Sequence, residues 1–215
     1  MHTIAHVRPG ASTLAEWRSR FGALGAEVDT TPWTAAAMGA RLRALRPDHV
    51  FALLGTTRSR AARERLAAPY EAVDYGLTAL LLAGARDAEC TPCFSYLSAI
   101  GADAGARNPY LAVRGRLEQE LVESGLPFLI ARPAFVTGAD RDERRPTERV
   151  AAVVLDGALA LVAALGGGGL RARYASLTGR ALAQGMVALA LAHRHGRVVA
   201  DAAVLRAAPG TGAGA

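Results

Sequence analysis

Lysine is absent from this chain of 215 residues, so all 25 basic side chains are arginine. The formal net charge is +6, yet aromatic residues make up only 6% of the sequence and do not alternate with the arginines. The densest arginine cluster, "RDERRPTER", also contains acidic residues. A nucleic-acid-binding face usually combines a basic patch with aromatic side chains that stack on bases. We therefore interpret the charge as a compositional bias and expect no nucleic-acid partner.

Cysteine is scarce as well, with only Cys90 and Cys93 in the motif "CTPC". A structural zinc site needs four ligands, and no second cysteine pair completes one. A redox pair of the thioredoxin type would open a helix, whereas Cys93 begins an apolar, strand-like segment. His193 and His195 are two residues apart, so they would not face one another on a helix. The sequence predicts two free thiols, buried or half-buried, and no metal site.

Long apolar runs are missing too. The longest, residues 150–165, contains Asp156 and is shorter than a membrane span. The chain shows no basic and apolar leader of the kind that forms a signal peptide. Reduced thiols agree with a reducing compartment. Together these features predict a soluble, cytoplasmic protein with no membrane partner.

What the sequence does contain is an alternation of apolar and amphipathic segments. This pattern is typical of a parallel sheet whose strands are connected by helices, and no interdomain linker interrupts it. Five segments are predicted to be strands: "HTIAHV", "AEVDT", "HVFALLG", "CFSYLS" and "PFLIARP". The third of these is almost entirely apolar, so we expect it to be buried on both faces. The sequence therefore predicts one α/β domain over residues 1–215.

Amphipathic segments predict the helices between these strands. They are "LAEWRSRFGALG", "AAMGARLRALRP", "YEAVDYGLTALLLAGARDA" and "YLAVRGRLEQELVESG". Beyond Gly138 we expect the polar loop "ADRDERRPTER", the apolar helix "VAAVVLDGALALVAAL", the flexible connection "GGGG" and the helix "TGRALAQGMVALALAH". Residues 139–215 are predicted to form a variable, substrate-side region, and residues 208–215 are expected to be disordered.

Three side chains stand in an order that suggests chemistry. Ser98 ends a predicted strand, Tyr110 follows twelve residues later, and Arg114 lies one helical turn beyond Tyr110. A phenol is a poor base at neutral pH unless a nearby cation stabilises the phenolate. With five Tyr and 25 basic residues, however, one Tyr-x-x-x-basic pair arises readily by chance. The alternative is therefore an exposed Tyr and Arg on a solvated helix face.

In order and spacing, these residues resemble the short-chain dehydrogenase/reductase family, where a strand-end Ser and a Tyr-x-x-x-Lys helix carry the chemistry. Further segments resemble the small atypical members that are similar to the Tat-interacting-protein oxidoreductases. The segments are "LGTTR" (54–58), "LSAIGAD" (97–103), "YLAVRGRLE" (110–118) and "RPAFVTGADRDERRPTE" (132–148). Four segments in the right order are much harder to obtain by chance than one motif. The resemblance implies a Rossmann-like, doubly wound parallel sheet.

The resemblance also implies a role for each residue of the motif. Tyr110 would be the acid/base, Ser98 would polarise a carbonyl oxygen, and Arg114 would stabilise the phenolate and bind the nicotinamide ribose. Arg114 stands where the family has Lys, and a planar guanidinium is not a compact ammonium. The expected reaction is hydride transfer between NADP and a small-molecule carbonyl or alcohol. The alternative is a catalytically weak NADP(H)-binding sensor or interaction module on the same fold.

Other residues would bind the cofactor beside Tyr110 and Arg114. The resemblance implies six: Arg8, Gly55, Thr56, Thr57, Arg58 and Pro133. Glycine lets the backbone approach a ligand closely. An Arg just past a strand matches phosphate geometry, so it would select NADP over NAD by pairing with the 2′-phosphate. The expected partners are the small-molecule substrate and a second copy of the chain in a homodimer.

On the family pattern, "HTIAHVR" corresponds to the second strand rather than the first. The first strand, its glycine-rich turn and the first helix are therefore expected to be missing from this sequence. That turn cradles the pyrophosphate at a helix N-terminus. A parallel sheet without a central strand would leave backbone groups of the neighbouring strands unpaired. We therefore favour a missing N-terminal unit over a naturally shortened fold.

Overall fold

The computed structural model describes residues 1–56, 68, 70–134, 136–137 and 176–208. These residues contain the strands β1 Ile4–His6, β2 Glu27–Asp29, β3 His49–Ala52, β4 Cys93–Leu97, β5 Phe128–Arg132, β6 Val136–Thr137, β7 Leu177–Thr178 and β8 Arg197–Asp201. They also contain the helices α1 Leu14–Ala23, α2 Ala35–Leu45, α3 Thr78–Arg86, α4 Pro109–Glu123, α5 Gly179–Ala192 and α6 Ala202–Ala207. A π-helical stretch, Tyr70–Leu77, runs directly into α3.

All strand pairs in the described part of the chain are parallel. The largest sheet has four strands in the order β3-β4-β5-β8, while β1 pairs with β2 and β6 pairs with β7. The prediction of a parallel α/β fold is confirmed. The five predicted strands are all present, but β1 and β2 form their own sheet because no described strand pairs with both β1 and β3.

Strand register places the candidate site at one edge of the main sheet. Ala52 of β3 is opposite Tyr96 of β4, and Leu97 of β4 is opposite Ala131 of β5. Because parallel strands end on the same side, the residues after β3, β4 and β5 meet at the carboxyl edge. In open α/β sheets this is the edge where ligands bind.

Helices cover both faces of β4 and β5. One core cluster, beneath α2, α3 and α4, includes Val50, Phe94, Tyr96, Leu117, Leu121 and Ile130. The other, beneath α5 and α6, includes Leu129, Ala131, Leu182, Met186, Ala200 and Leu205. The expectation that "HVFALLG" is buried on both faces is wrong, because Phe51 is 37% exposed and Leu53 58% exposed. The helices of the second face pack on β4, β5 and β8 instead.

Local signals place the start of α4 at the candidate tyrosine. The Asn108 side chain accepts a hydrogen bond of 3.0 Å from the Tyr110 amide, which satisfies one unpaired donor of the first turn. Pro109 occupies the first helical position, where its missing N–H costs nothing. Tyr110 is therefore held in the first turn, with its backbone fixed.

Several elements differ from the sequence-based expectation. The segment "YEAVDYGLTALLLAGARDA" is π-helical over its first part rather than α-helical throughout. The strand β8 and the helix α6 were not predicted, because β8 is a short edge strand with an exposed Val199 and gains its stability from pairing with β5. The predicted loop and apolar helix after Gly138 and the "GGGG" connection lie outside the described residues. Of the tail that was predicted to be disordered, residues 208–215, only Ala208 is described. That one domain extends over residues 1–215 stays a prediction.

Candidate active site

Tyr110 and Arg114 form a contact at the carboxyl edge. The Arg114 Cζ atom lies 5.0 Å from the centroid of the Tyr110 ring, within the range of a cation–π interaction. Arg114 is only 4% exposed, and Tyr110 is half-buried. Arg114 is therefore not on a solvated helix face, and the pair is an internal contact between a phenol and a buried cation.

Backbone carbonyls hold the Arg114 guanidinium between two strand ends. One terminal nitrogen, Nη1, donates to the Leu97 carbonyl and, at 3.5 Å, to the Tyr96 hydroxyl. The other, Nη2, donates to the Leu54 carbonyl at 3.3 Å. The buried Nε atom has no hydrogen-bond partner. Arg114 thus connects α4 to the ends of β3 and β4. Both terminal nitrogens already have protein partners, so neither is left free to bind a ribose hydroxyl.

A buried carboxylate completes this arrangement. Asp74, 1% exposed, accepts a hydrogen bond of 2.8 Å from Arg114 Nη2 and one of 2.9 Å from the Thr56 amide. Desolvation raises the pKa of Asp74, and the charge of Arg114 opposes this only in part. Burial lowers the pKa of Arg114, but the nearby Tyr96, Tyr110 and Asp74 outweigh burial and raise it. The cation beside Tyr110 therefore has its own counter-charge.

The π-helical stretch supplies a second contact to the pair. The Tyr70 ring meets the Tyr110 ring edge-on, with centroids 5.5 Å apart. An edge-to-face arrangement at this distance is favourable because the positive edge of one ring faces the negative face of the other. Tyr70 and Asp74 both belong to this stretch, so one element touches both members of the Tyr110 and Arg114 pair.

Ser98 lies just after β4, but its hydroxyl points to a protein partner. Ser98 is 3% exposed, and its Oγ donates a hydrogen bond to the Glu118 carboxylate. Arg132 Nε donates to the same carboxylate, at 3.0 Å from Oε1 and 3.1 Å from Oε2. This hydrogen bonding raises the pKa of Arg132. The Ser98 proton is thus committed to Glu118 rather than directed toward a substrate oxygen.

The loop between β4 and α4 packs directly on the helix at Gly115. A Cβ atom built at Gly115 would lie 2.5 Å from Asp103 Cα and closer still to the Asp103 carbonyl carbon and the Ala104 nitrogen. Only a residue without a side chain allows this approach. This loop connects Ser98 with Tyr110, so its packing on α4 is part of the framework of the candidate site.

Two of the predicted cofactor-binding residues, Gly55 and Thr56, follow β3 at this edge of the main sheet. Gly55 is exposed, and a Cβ there would lie 3.0 Å from Arg114 Nη2, so the glycine leaves room for the buried ion pair. The Thr56 amide donates to Asp74 and is not directed outward. Thr57 and Arg58 lie outside the described residues.

The last two predicted binding residues differ in accessibility. Pro133 is buried, and its carbonyl accepts a hydrogen bond of 3.0 Å from the Ile100 amide, which continues the alignment of β4 with β5. Arg8 is exposed, two residues past β1. Arg8 is thus accessible to a ligand, whereas Pro133 contributes chiefly to the shape of the edge.

Cys93 is buried, Cys90 is half-buried, and both are free thiols, as expected. Burial raises the pKa of both thiols. Over the ranges that the structure describes, no group of three or more His, Cys, Asp and Glu side chains could hold a metal ion.

Asp74 and Glu118 are site residues that the sequence-based prediction missed. Asp74 interrupts an otherwise apolar helical face, which signals either a partner or a solvent-facing position. Glu118 lies four residues after Arg114, so the two share one face of α4. Both features can be seen in the sequence, but neither identifies the side chain that Asp74 or Glu118 contacts.

The sheet order and the position of the site define a Rossmann-like α/β protein. No family model matches the chain. The sequence is similar to Protein FMP52, mitochondrial, from Coccidioides immitis (strain RS), with 28% identity over 128 residues, which is 59% of this chain and 50% of that protein. It is also similar to Protein fmp52-1, mitochondrial, from Aspergillus terreus, with 32% identity over 126 residues, 57% of this chain and 50% of that protein. The chain spans about half the length of the curated relatives it matches.

Solved structures show the same fold. A putative epimerase from Burkholderia cenocepacia J2315 aligns with a TM-score of 0.61 and 18% identity over 92% of this chain and 66% of that chain. RMD from Pseudomonas aeruginosa, solved in complex with NADPH, aligns with a TM-score of 0.54 and 18% identity over 93% of this chain and 76% of that chain. At these identities the likeness confirms the Rossmann-like fold.

Two sequence-based expectations concern the membrane and the compartment. None of the helices in the described part of the chain combines the length and the apolar character that crossing a bilayer requires. The prediction of a cytoplasmic location is contradicted by the curated relatives, because each of them is named as a mitochondrial protein. The features used for that prediction, free thiols and no recognisable signal peptide, do not distinguish the cytoplasm from other reducing compartments.

Proposed function

We propose that this protein is an NAD(P)-dependent oxidoreductase of the short-chain dehydrogenase type, which transfers hydride to or from a carbonyl or alcohol substrate. One observation carries the proposal: Tyr110, half-buried at the carboxyl edge of a parallel sheet, has the buried Arg114 cation 5.0 Å from its ring. The Rossmann-like fold supports a nucleotide cofactor at this edge. The similar structure of RMD with NADPH supports a nicotinamide.

The described residues fit such a cofactor in part. Gly55 is exposed at the end of β3, where backbone could approach the cofactor. Arg8 is exposed after β1, and its guanidinium suits the 2′-phosphate that distinguishes NADP from NAD. We therefore propose NADP as the preferred cofactor. When bound, the nicotinamide supplies or accepts the hydride.

The protein's own part is the proton. Tyr110 would give its Oη proton to the substrate oxygen in reduction and take it back in oxidation. The positive charge of Arg114 beside the ring would stabilise the anion that Tyr110 becomes. Ser98 would not polarise the carbonyl in the arrangement seen, because its proton is donated to Glu118. Tyr110 would therefore act without the serine that the resemblance implies.

A catalytically weak NADP(H)-binding sensor is the second candidate. Two observations favour it: Ser98 is committed to Glu118, and the charge of Arg114 is compensated by Asp74. Both reduce the electrostatic help that a reacting carbonyl would receive. The fold would still bind the nucleotide and could report it to a partner.

We also propose that a further strand lies between β1 and β3. In the doubly wound order, the first strand separates the second from the fourth. Here β1 and β2 form a separate sheet, β3 is an edge of the main sheet, and Phe51 is 37% exposed. Such a strand, with its glycine-rich turn, would supply the pyrophosphate cradle. A chain extended upstream of Met1 should bind NADPH more tightly in titration calorimetry, and equal affinity would contradict this proposal.

Replacing Tyr110 by Phe tests the proposed reaction. In the extended chain, Tyr110→Phe should lower the turnover of 9,10-phenanthrenequinone with NADPH by about 100-fold or more, the usual size of a lost acid/base. NADPH affinity should stay nearly unchanged, because the hydroxyl acts in the transition state. Tyr75→Phe is the control, since Tyr75 contacts Arg116 and Glu120 instead.

Each result separates the candidates. Full turnover by Tyr110→Phe would exclude Tyr110 as the acid/base and reject the proposed mechanism. Binding of NADPH without turnover of any carbonyl by the parent protein would favour the sensor. A parent protein that binds no NADPH would reject both functions.

A further inference from the structure

We infer that Asp74 is a positioning residue of this site: presented by the π-helical stretch, it fixes the Arg114 guanidinium against the Tyr110 ring. The inference rests on the proposed function, in which Tyr110 exchanges the substrate proton. Asp74 does not contact the reacting atoms in this scheme. It acts through Arg114, which lies between Asp74 and Tyr110.

The contacts form a continuous chain from backbone to ring. The Thr56 amide donates to one oxygen of Asp74 at 2.9 Å, and Arg114 Nη2 donates to the other at 2.8 Å. The opposite end of the guanidinium is held by the Leu97 carbonyl. A planar group held at both terminal nitrogens cannot swing about the end of its side chain, so its position relative to Tyr110 is set.

Burial makes the carboxylate necessary for this position. The side chains of Arg114 and Asp74 are 5% and 0% exposed, so neither charge is compensated by water. A buried cation that lacks its partner costs far more than a paired one. Without Asp74, we expect Arg114 to move toward solvent and away from the ring.

The π-helix gives this role a structural basis. π-helical turns are rare in proteins, and those that occur are often found at functional sites. The stretch places the Tyr70 ring against Tyr110 and the Asp74 carboxylate against Arg114. Its other acidic residue, Glu71, pairs at 2.8 Å with Arg116, and both of these side chains are more than 40% exposed. Two acids on one element thus have separate partners, which provides a matched control.

The test compares three variants of the protein. Asp74→Asn removes the charge and keeps the shape, Asp74→Glu keeps the charge and displaces the carboxylate, and Glu71→Gln is the control. Two quantities are measured: the NMR signals of ring-¹³C-labelled tyrosine, with Tyr110 assigned from Tyr110→Phe, and kcat for 9,10-phenanthrenequinone with NADPH. Circular dichroism establishes that each variant is folded.

Positioning predicts that both Asp74 variants displace the Tyr110 ring signals and lower kcat about tenfold to 100-fold, as small misplacements at a reacting group do. Glu71→Gln should change neither quantity. If Asp74→Glu behaves as wild type while only Asp74→Asn differs, charge alone matters and the inference is overturned. Unchanged Tyr110 signals in both Asp74 variants would overturn it as well.

The readouts keep this inference separate from the proposed function. If the parent protein turns over no carbonyl, the reaction is rejected, but the Tyr110 signals still decide whether Asp74 positions Arg114. If Asp74→Asn does not fold, the signals and kcat of Asp74→Glu decide in the same way. Suppose that Tyr110→Phe keeps full turnover while the Asp74 variants displace the Tyr110 ring signals. Asp74 then positions Arg114, but Tyr110 is not the acid/base.

Discussion

Replacing Gly115 by alanine should disrupt the packing of the loop between β4 and α4. The added Cβ would lie 2.5 Å from Asp103 Cα, about 0.9 Å closer than the 3.4 Å at which ordinary van der Waals contact begins. The nearest atoms belong to the backbone of Asp103 and Ala104, so no side chain can rotate out of the way. Either the loop or the helix must move.

The magnitude follows from two opposing terms. Overpacking of a well-packed site typically costs about 1–3 kcal/mol, and contact with backbone places this site near the upper end. Alanine in a helix interior is favoured over glycine by about 1 kcal/mol. We therefore expect Gly115→Ala to lower the free energy of unfolding by about 2 kcal/mol. For a domain of this size that corresponds to a fall in Tm of about 4–8 °C.

Gly22→Ala provides the matched control. Gly22 also lies within a helix, α1, but a Cβ there would meet no atom within 4 Å. The free energy of unfolding should therefore rise by about 0.5–1 kcal/mol. Urea unfolding followed by circular dichroism measures both variants. If Gly115→Ala is as stable as Gly22→Ala, the close approach of loop and helix does not exist.

Two aspartates should give opposite dependences of stability on pH. Burial raises the pKa of Asp74 above its ordinary value of 3.8. The contribution of Asp74 to the free energy of unfolding is therefore complete below pH 3.8 and is lost as the pH rises through the raised pKa. Asp74→Asn should remove that loss. For Asp29, burial raises the pKa, but hydrogen bonds from Thr31 and Arg41 outweigh it and leave the pKa lowered. Its contribution is therefore present above 3.8 and lost as pH falls, and Asp29→Asn should remove the acid-side loss. Free energies of unfolding from urea titrations at a series of pH values check both, and slopes that change in the same direction in the two variants would contradict the assignment.

Local patterns in the sequence were enough to predict the strands and helices that frame the site. Apolar segments bounded by Gly or Pro predicted β3, β4 and β5, and the spacing of Ser98, Tyr110 and Arg114 selected residues that lie at one sheet edge. These features depend on neighbouring residues and on a helical repeat. These strands, helices and motif spacings can therefore be predicted without tertiary information.

The partners of those residues were not predictable in the same way. Asp74 is forty residues from Arg114 in the sequence, and only the fold brings them to 2.8 Å. Ser98 was expected to face a substrate, but its hydroxyl meets Glu118, which α4 presents one turn beyond Arg114. The π-helical register is equally hidden, because a sequence periodicity does not specify which carbonyl each amide bonds. Ion pairs and hydrogen-bond register belong to tertiary structure.

Arginine at position 114 also restricts how a proton can reach Tyr110. A guanidinium has five N–H donors in one plane and is not deprotonated in proteins, so it can act on Tyr110 by charge but cannot pass on a proton. The site is consistent with that role, since Asp74 and the carbonyls of Leu54 and Leu97 accept from the terminal nitrogens of Arg114. In the proposed reaction the proton lost from the Tyr110 hydroxyl must then be replaced by a group other than Arg114. Arg114 would thus act in the proposed reaction as a fixed positive charge and not as a proton relay.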